Sequence, residues 1–167
     1  KDILDLVYIA GHYGLQEVAS YWKAVVDMND HQSERFVWQI VEEMFKNVGG
    51  KRLAIFGFAF KPDTNDTRDA PAIRVCTRLL QEQAHLVITD PQALDNAKRD
   101  LAGLEGEIAY EPDPYKAAEG AHAIVLLTQW QAYQELDYER LYKSMVKPAF
   151  VFDGRRCLDA EKLHEIG

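Results

Sequence analysis

After Gly50 the chain alternates between short apolar runs that read as strands and stretches with helical spacing: "RLAIFGFAF", "APAIRVCTRLLQEQ", "AHLVITD", "ALDNAKRDL", "EIAYEPD", "PYKAAEG", "AHAIVLL", "YERLYKSMV", "AFVFDG" and "AEKLHEI". Strands joined through helices cannot pair as tight hairpins. They are expected to lie parallel, linked by right-handed crossovers. The fold class this predicts is α/β, a Rossmann-like doubly wound parallel sheet.

Before the "NVGG" of residues 47–50 the pattern is different. "DILDLVYIAGHYG" and "LQEVASYWKAVVDMNDHQSERFVWQIVEEMF" both have helical periodicity. In the second, Val18, Trp22, Val25, Asn29, Gln32, Phe36, Ile40 and Phe45 recur at steps mostly of three or four. The chain is therefore expected to divide into residues 1–48, part of a region built on a long helix, and residues 49–167, the sheet domain. The stripe has more apolar surface than one face of a small sheet domain can cover, which predicts a homodimer through the long helix. Asn29 and Gln32 interrupt the stripe, either bonding across a helix–helix interface or facing solvent.

Composition sets the remaining bounds. At 167 residues and 47% hydrophobic content the chain can bury a real core. Its longest apolar runs fall far short of the roughly 20 residues a membrane helix needs. No signal peptide is visible, so a cytoplasmic protein without a membrane partner is expected. A net charge of −8 with scattered cations argues against nucleic acid. A few well-placed cations still suffice for a small anion. Cys76 and Cys157 are isolated, with neither a CxxC nor a histidine at ligand spacing, so they are expected to be small buried hydrophobes and no metal site is predicted. None of the five histidines has an evident partner.

In an open parallel sheet, ligands lie beyond the carboxyl ends of the strands. Here those ends are "KPDTNDTRDAP", "DP" at 90–91, "TQW" at 128–130 and "DGRR" at 153–156. The first strand lacks GxGxxG: it reads "FGFAFK", and Phe58 and Phe60 are expected to block the close backbone approach that those glycines permit. A dinucleotide in the usual position is therefore not expected. A phenylalanine beside a lysine instead offers a nucleobase an apolar contact and an anion a charged donor.

"GFAFKPDTNDTRDAP", residues 57–71, resembles the pattern G-x-A-F-K-x-x-T-x-D-x-R-x-x-P of the UDP-glucose/GDP-mannose dehydrogenases. "TQW", "LDYERLYKSMVKPAFVFDGRR" and the opening "KDILDLVYIAGHYGLQEVASYWKAVVDMNDHQ" fall in that family's order and look most like its eukaryotic-type UDP-glucose 6-dehydrogenases. The resemblance implies a central helical region with a dimer-forming helix, followed by the nucleotide-sugar domain. It implies oxidation of UDP-glucose to UDP-glucuronate with two NAD, through a thiolate that carries a thiohemiacetal and then a thioester. The family's cofactor loop and thiol segment have no counterpart here, since the chain starts at what resembles the final Lys-Asp of the latter. It is thus expected to be a fragment, inactive alone, that carries the UDP-sugar half. Related readings are a GDP-mannose or UDP-N-acetylhexosamine dehydrogenase, or a non-catalytic nucleotide-binding or dimerisation module.

The resemblance also assigns residues. Asp2 falls at the family carboxylate that orients or activates the hydrolytic water, although an acid in the first turn of a helix reads equally well. Lys1 shares the motif without a separate role. Phe60, Lys61 and Arg155 are implied to bind UDP-glucose or UDP. Arg68 is implied to reach the NAD side of the cleft, with an ion pair to Asp66 or Asp69 compatible with that. Arg156 is the weaker member of its pair, and Asn65 stands where many relatives have Asp or Gly. Asp69 reads as a helix N-cap before Pro71, and the loop's acids as structural.

Overall fold

The computed structural model describes residues 2–167; Lys1 lies outside the described residues. Two helices come first, α1 (Asp2–His12) and α2 (Gln16–Glu43). Gly14 turns the chain between them at a φ of +73°, while the Leu15 amide donates to the Ala10 carbonyl at 2.9 Å. Such a left-handed residue satisfies the last carbonyls of a helix, and glycine takes it without strain. The 28 residues of α2 span about 42 Å.

The rest is a five-stranded parallel sheet in the order β3-β2-β1-β4-β5. Its strands are β1 (Arg52–Phe56), β2 (His85–Thr89), β3 (Ile108–Tyr110), β4 (Ala123–Leu126) and β5 (Phe150–Asp153). The helices α3 (Pro71–Gln81), α4 (Leu94–Asp100), α5 (Pro114–Ala118), α6 (Gln131–Gln134), α7 (Tyr138–Ser144) and α8 (Ala160–Ile166) follow their strands. The predicted doubly wound α/β fold is the one observed.

Side chains along the strands alternate between two cores, as a period of two requires. Leu53, Ile55, Leu86, Ile88, Ala123 and Val125 face α3, α4 and the second half of α2, which contributes Val37 and Ile40, with Met44 just past its end. Ala54, Phe56, Val87, Ile124 and Leu126 face α5, α6 and α7. The centre of the sheet is covered on both sides, which is why its strands read as nearly continuous apolar runs.

The long helix has two environments. Its second half lies on the sheet domain, with Arg74 of α3 paired to Asp30 at 2.8 Å and Arg78 to Glu34 at 2.9 Å. Its first half packs against α1, burying Ala10 and Ala19 but leaving Leu4, Leu6, Tyr8, Ile9, Tyr13, Leu15, Val18, Tyr21 and Met28 exposed. Phe45 departs from the predicted stripe. The helix has ended, Phe45 takes a φ of +64°, and its exposed ring meets Phe150 edge-on beneath the Lys51 ammonium. Asn29 and Gln32 are exposed.

Candidate functional site

The direction of winding changes between β1 and β4. From β1 the chain leads through α3 to β2 on one side; from β4 it leads through α6 and α7 to β5 on the other. β1 and β4 stay paired to their last residues, Phe56 and Leu126, but the connections that leave them go to opposite sides, and an open α/β sheet has its ligand crevice there. At its base the crevice is closed by protein. Gly57 sits at a φ of +91°, and a Cβ on it would lie 2.4 Å from the Thr128 Cβ. The Thr128 hydroxyl donates to the Ala59 carbonyl at 2.6 Å.

Beneath the same loop lies Asp90, at the end of β2 and only 2% exposed. Its Oδ2 accepts the amides of Phe58 at 2.7 Å and Ala59 at 3.0 Å, and the Trp130 indole N–H at 3.2 Å. Its Oδ1 accepts the amides of Gln92 at 2.9 Å and Ala93 at 2.7 Å. Five donors on one carboxylate join the ends of β1, β2 and β4. The expectation that Phe58 blocks the crevice needs correction: its side chain is wholly buried in the core shared with α2 and α3. Phe60 turns outward and is 49% exposed.

From Phe60 the chain makes a small closed loop. The Phe60 amide donates to the Asp66 carbonyl at 2.9 Å, and the Asp66 amide to the Thr64 hydroxyl at 3.1 Å. The Asp66 carboxylate accepts the Arg68 amide at 3.0 Å, its Nε at 2.9 Å and a terminal nitrogen at 2.6 Å. That contact, the larger cause, raises the pKa of an already cationic group. Thr67 donates to Asp100 and Asn96 to the Asn65 carbonyl, which ties the loop to α4. Asp69 is not the N-cap of α3: that position is Ala70, without a side-chain cap, while Asp69 takes a φ of +57°. Pro71 opens α3 as expected.

Across the end of β4 stands Arg155. Its backbone amide donates to Asp153 Oδ1 at 2.8 Å and its Nε to the Leu127 carbonyl at 2.6 Å. Its guanidinium forms no ion pair among the described residues, and its partial burial draws its pKa below the usual arginine value. The other Asp153 oxygen accepts the amides of Cys157 at 2.7 Å and Leu158 at 2.8 Å. Arg156, exposed at a φ of +53°, stands apart from this arrangement. Lys61 is exposed and also forms no ion pair among the described residues. The fold thus places Phe60 with Lys61 after β1 and Arg155 after β5, on either side of β4. Asp2 occupies the exposed first turn of α1.

Neither cysteine lies in a nucleophile's setting. Cys76 is buried in the core, and burial pushes its thiol pKa far up. Cys157 is half-buried, and burial first, then Asp153, raises its pKa. No group of three or more metal-ligating side chains occurs among the described residues. Sequence reasoning noted the strand ends "DP" and "TQW" but assigned no role to Asp90, Thr128 or Trp130. Their only signal was their position just beyond predicted strands.

Comparison with known proteins matches residues 54–160 to the UDP-glucose/GDP-mannose dehydrogenase family, UDP binding domain. The chain is 47% identical to UDP-glucose 6-dehydrogenase 4 of Oryza sativa subsp. japonica, over all of this chain and 38% of that protein. It is 45% identical to UDP-glucose 6-dehydrogenase 1 of Arabidopsis thaliana, over all of this chain and 39% of that one. The chain therefore spans less than half the length of these relatives. Among solved structures, a UDP-glucose dehydrogenase from Pyrobaculum islandicum superposes with a TM-score of 0.76 at 27% identity, covering 98% of this chain and 34% of that one. With sheet order, loop pattern and family match in agreement, the chain belongs to the UDP-glucose/GDP-mannose dehydrogenase family, and residues 54–160 are its UDP binding domain.

Proposed function

We propose that this chain supplies the nucleotide-sugar half of an NAD-dependent UDP-glucose 6-dehydrogenase, an oxidoreductase that converts UDP-glucose to UDP-glucuronate. One observation carries the reading: two cations without carboxylate partners among the described residues, Lys61 and Arg155, flank the end of β4 in a matched UDP binding domain. Phe60 offers its exposed ring to the uracil or ribose. Lys61 and the terminal nitrogens of Arg155 offer charged donors to the diphosphate.

NAD, when bound, accepts the hydride from C6 of the sugar. Its fit to these residues is partial. Arg68, held in place by Asp66, suits one contact to a phosphate or carboxamide. The amides of Phe58 and Ala59, which a dinucleotide loop would offer to a phosphate, are already bound to Asp90. The bulk of an NAD site is therefore not built on this sheet. Asp2 is proposed to orient the hydrolytic water. The exposed apolar face of α1 and α2 is proposed to hold a second copy, and the setting is proposed to be cytoplasmic.

Titration of the chain with UDP tests the site. Binding on the order of millimolar, about −4 kcal/mol, is expected from a base contact and a few partly exposed charged hydrogen bonds. Amide signals at residues 57–61 and 153–156 should move together, and Lys61→Ala should weaken binding about threefold to tenfold at both places. Shifts confined to α2, or an unaltered titration in Lys61→Ala, would remove the site.

A further inference from the structure

In a doubly wound sheet the first loop commonly turns its backbone N–H groups toward a phosphate. Here the corresponding N–H groups, those of Phe58 and Ala59, point inward onto Asp90. The carboxylate comes from the end of the adjacent β2 and is buried to 2% exposure. It also takes the indole N–H of Trp130, so the loops leaving β1 and β4 share one acceptor. On its other side the same segment is held by Thr128, which binds the Ala59 carbonyl and leaves no room for a side chain at Gly57. Both polar groups of Ala59 are thus fixed by buried side chains. The next residue, Phe60, is the first to turn to solvent.

We infer that Asp90 is a positioning residue whose carboxylate serves as a built-in substitute for the ligand phosphate of such a loop. By satisfying the Phe58 and Ala59 amides it fixes the backbone from which Phe60 and Lys61 project. The loop then meets its ligand with side chains instead of N–H groups. A charged acceptor shared by buried donors is expensive to remove, because each donor loses its partner where water cannot replace it. The effect on UDP is indirect and rests on the reading of Phe60 and Lys61 given above. The effect on the loop does not.

Two variants of the chain separate these parts. Asp90→Ala leaves space for a small anion, so formate at tens of millimolar, a rough working range for a weak single-site anion, is the probe. Without formate the amide signals of Phe58 and Ala59 should shift or broaden, and UDP should bind about tenfold more weakly. Formate, and not chloride, should restore both. Asp90→Asn keeps the volume but turns an NH2 group toward some of the donors. It should stay folded, shift the same two amides, weaken UDP binding about threefold to tenfold, and gain nothing from formate.

Wild-type amide positions at residues 58 and 59 in folded Asp90→Asn would overturn the inference. So would unchanged UDP affinity in either folded variant. If the wild-type chain binds no UDP while formate still restores those two amides in Asp90→Ala, the loop-positioning role stands and the nucleotide-sugar reading falls.

Discussion

Gly57 shows how little freedom the first loop has. Its φ of +91° lies where L side chains are strained, and the nearest atoms to an added Cβ are the Thr128 Cβ at 2.4 Å and backbone nitrogen at 2.7 Å. Neither can yield without moving the end of β4. Gly57→Ala is therefore expected to destabilise the chain by about 3 kcal/mol or more, from backbone strain and overpacking together. Denaturant unfolding measures this directly, and a loss under about 1 kcal/mol would mean the crevice base is looser than its geometry. The motif made Gly57, Phe60, Lys61 and Arg68 legible as a set. What the motif did not show was the opposite orientation of the two aromatic residues: Phe58 joins the core and Phe60 faces solvent. That sorting depends on Asp90 and Thr128, which hold the backbone between them.

Among the elements, α2 carries two different roles on one helical pattern. Ile40 is fully buried in the core that α2 shares with the sheet and α3, whereas Val18, on the same predicted stripe, is 44% exposed. Ile40→Ala should cost about 3 kcal/mol, the range for a buried aliphatic truncation, and Val18→Ala less than about 1 kcal/mol in the monomer. Equal costs would mean that the first half of α2 is packed as firmly as the second. The ion pairs of Asp30 and Glu34 with α3 align the helices but are half-exposed, so each adds little to stability. Helical periodicity identified α2 but overran its end at Phe45. The chain leaves the helix there through left-handed Phe45 and Lys46, residue types that carry no turn signal.

At the scale of the whole molecule, the apolar surface of α1 and the first half of α2 calls for a cover. Nine large hydrophobic side chains from Leu4 to Met28 are exposed on this hairpin, and no helix among the described residues is long and apolar enough to cross a membrane. A second copy is the proposed cover. Sedimentation at about 50 µM, a rough concentration for interfaces of modest size, should show dimer. Charge placed at Ile9 or Tyr21, as in Ile9→Glu or Tyr21→Glu, should yield monomer with an unchanged sheet. A wild-type chain that sediments only as monomer would remove the dimer.

Read alone, the residues determined the parallel α/β class, the long helix, the strand ends and the family resemblance. These rest on the spacing of apolar side chains and on contiguous motifs, and both are local properties of the chain. Only the tertiary structure decided which backbone groups those strand ends leave free. Asp90 is 32 residues from the Phe58 amide it binds, Thr128 is 69 from the Ala59 carbonyl, and Arg155 is 28 from the Leu127 carbonyl. Contacts of that separation are set by how the crossovers stack the strands side by side, and no short stretch of sequence encodes that arrangement.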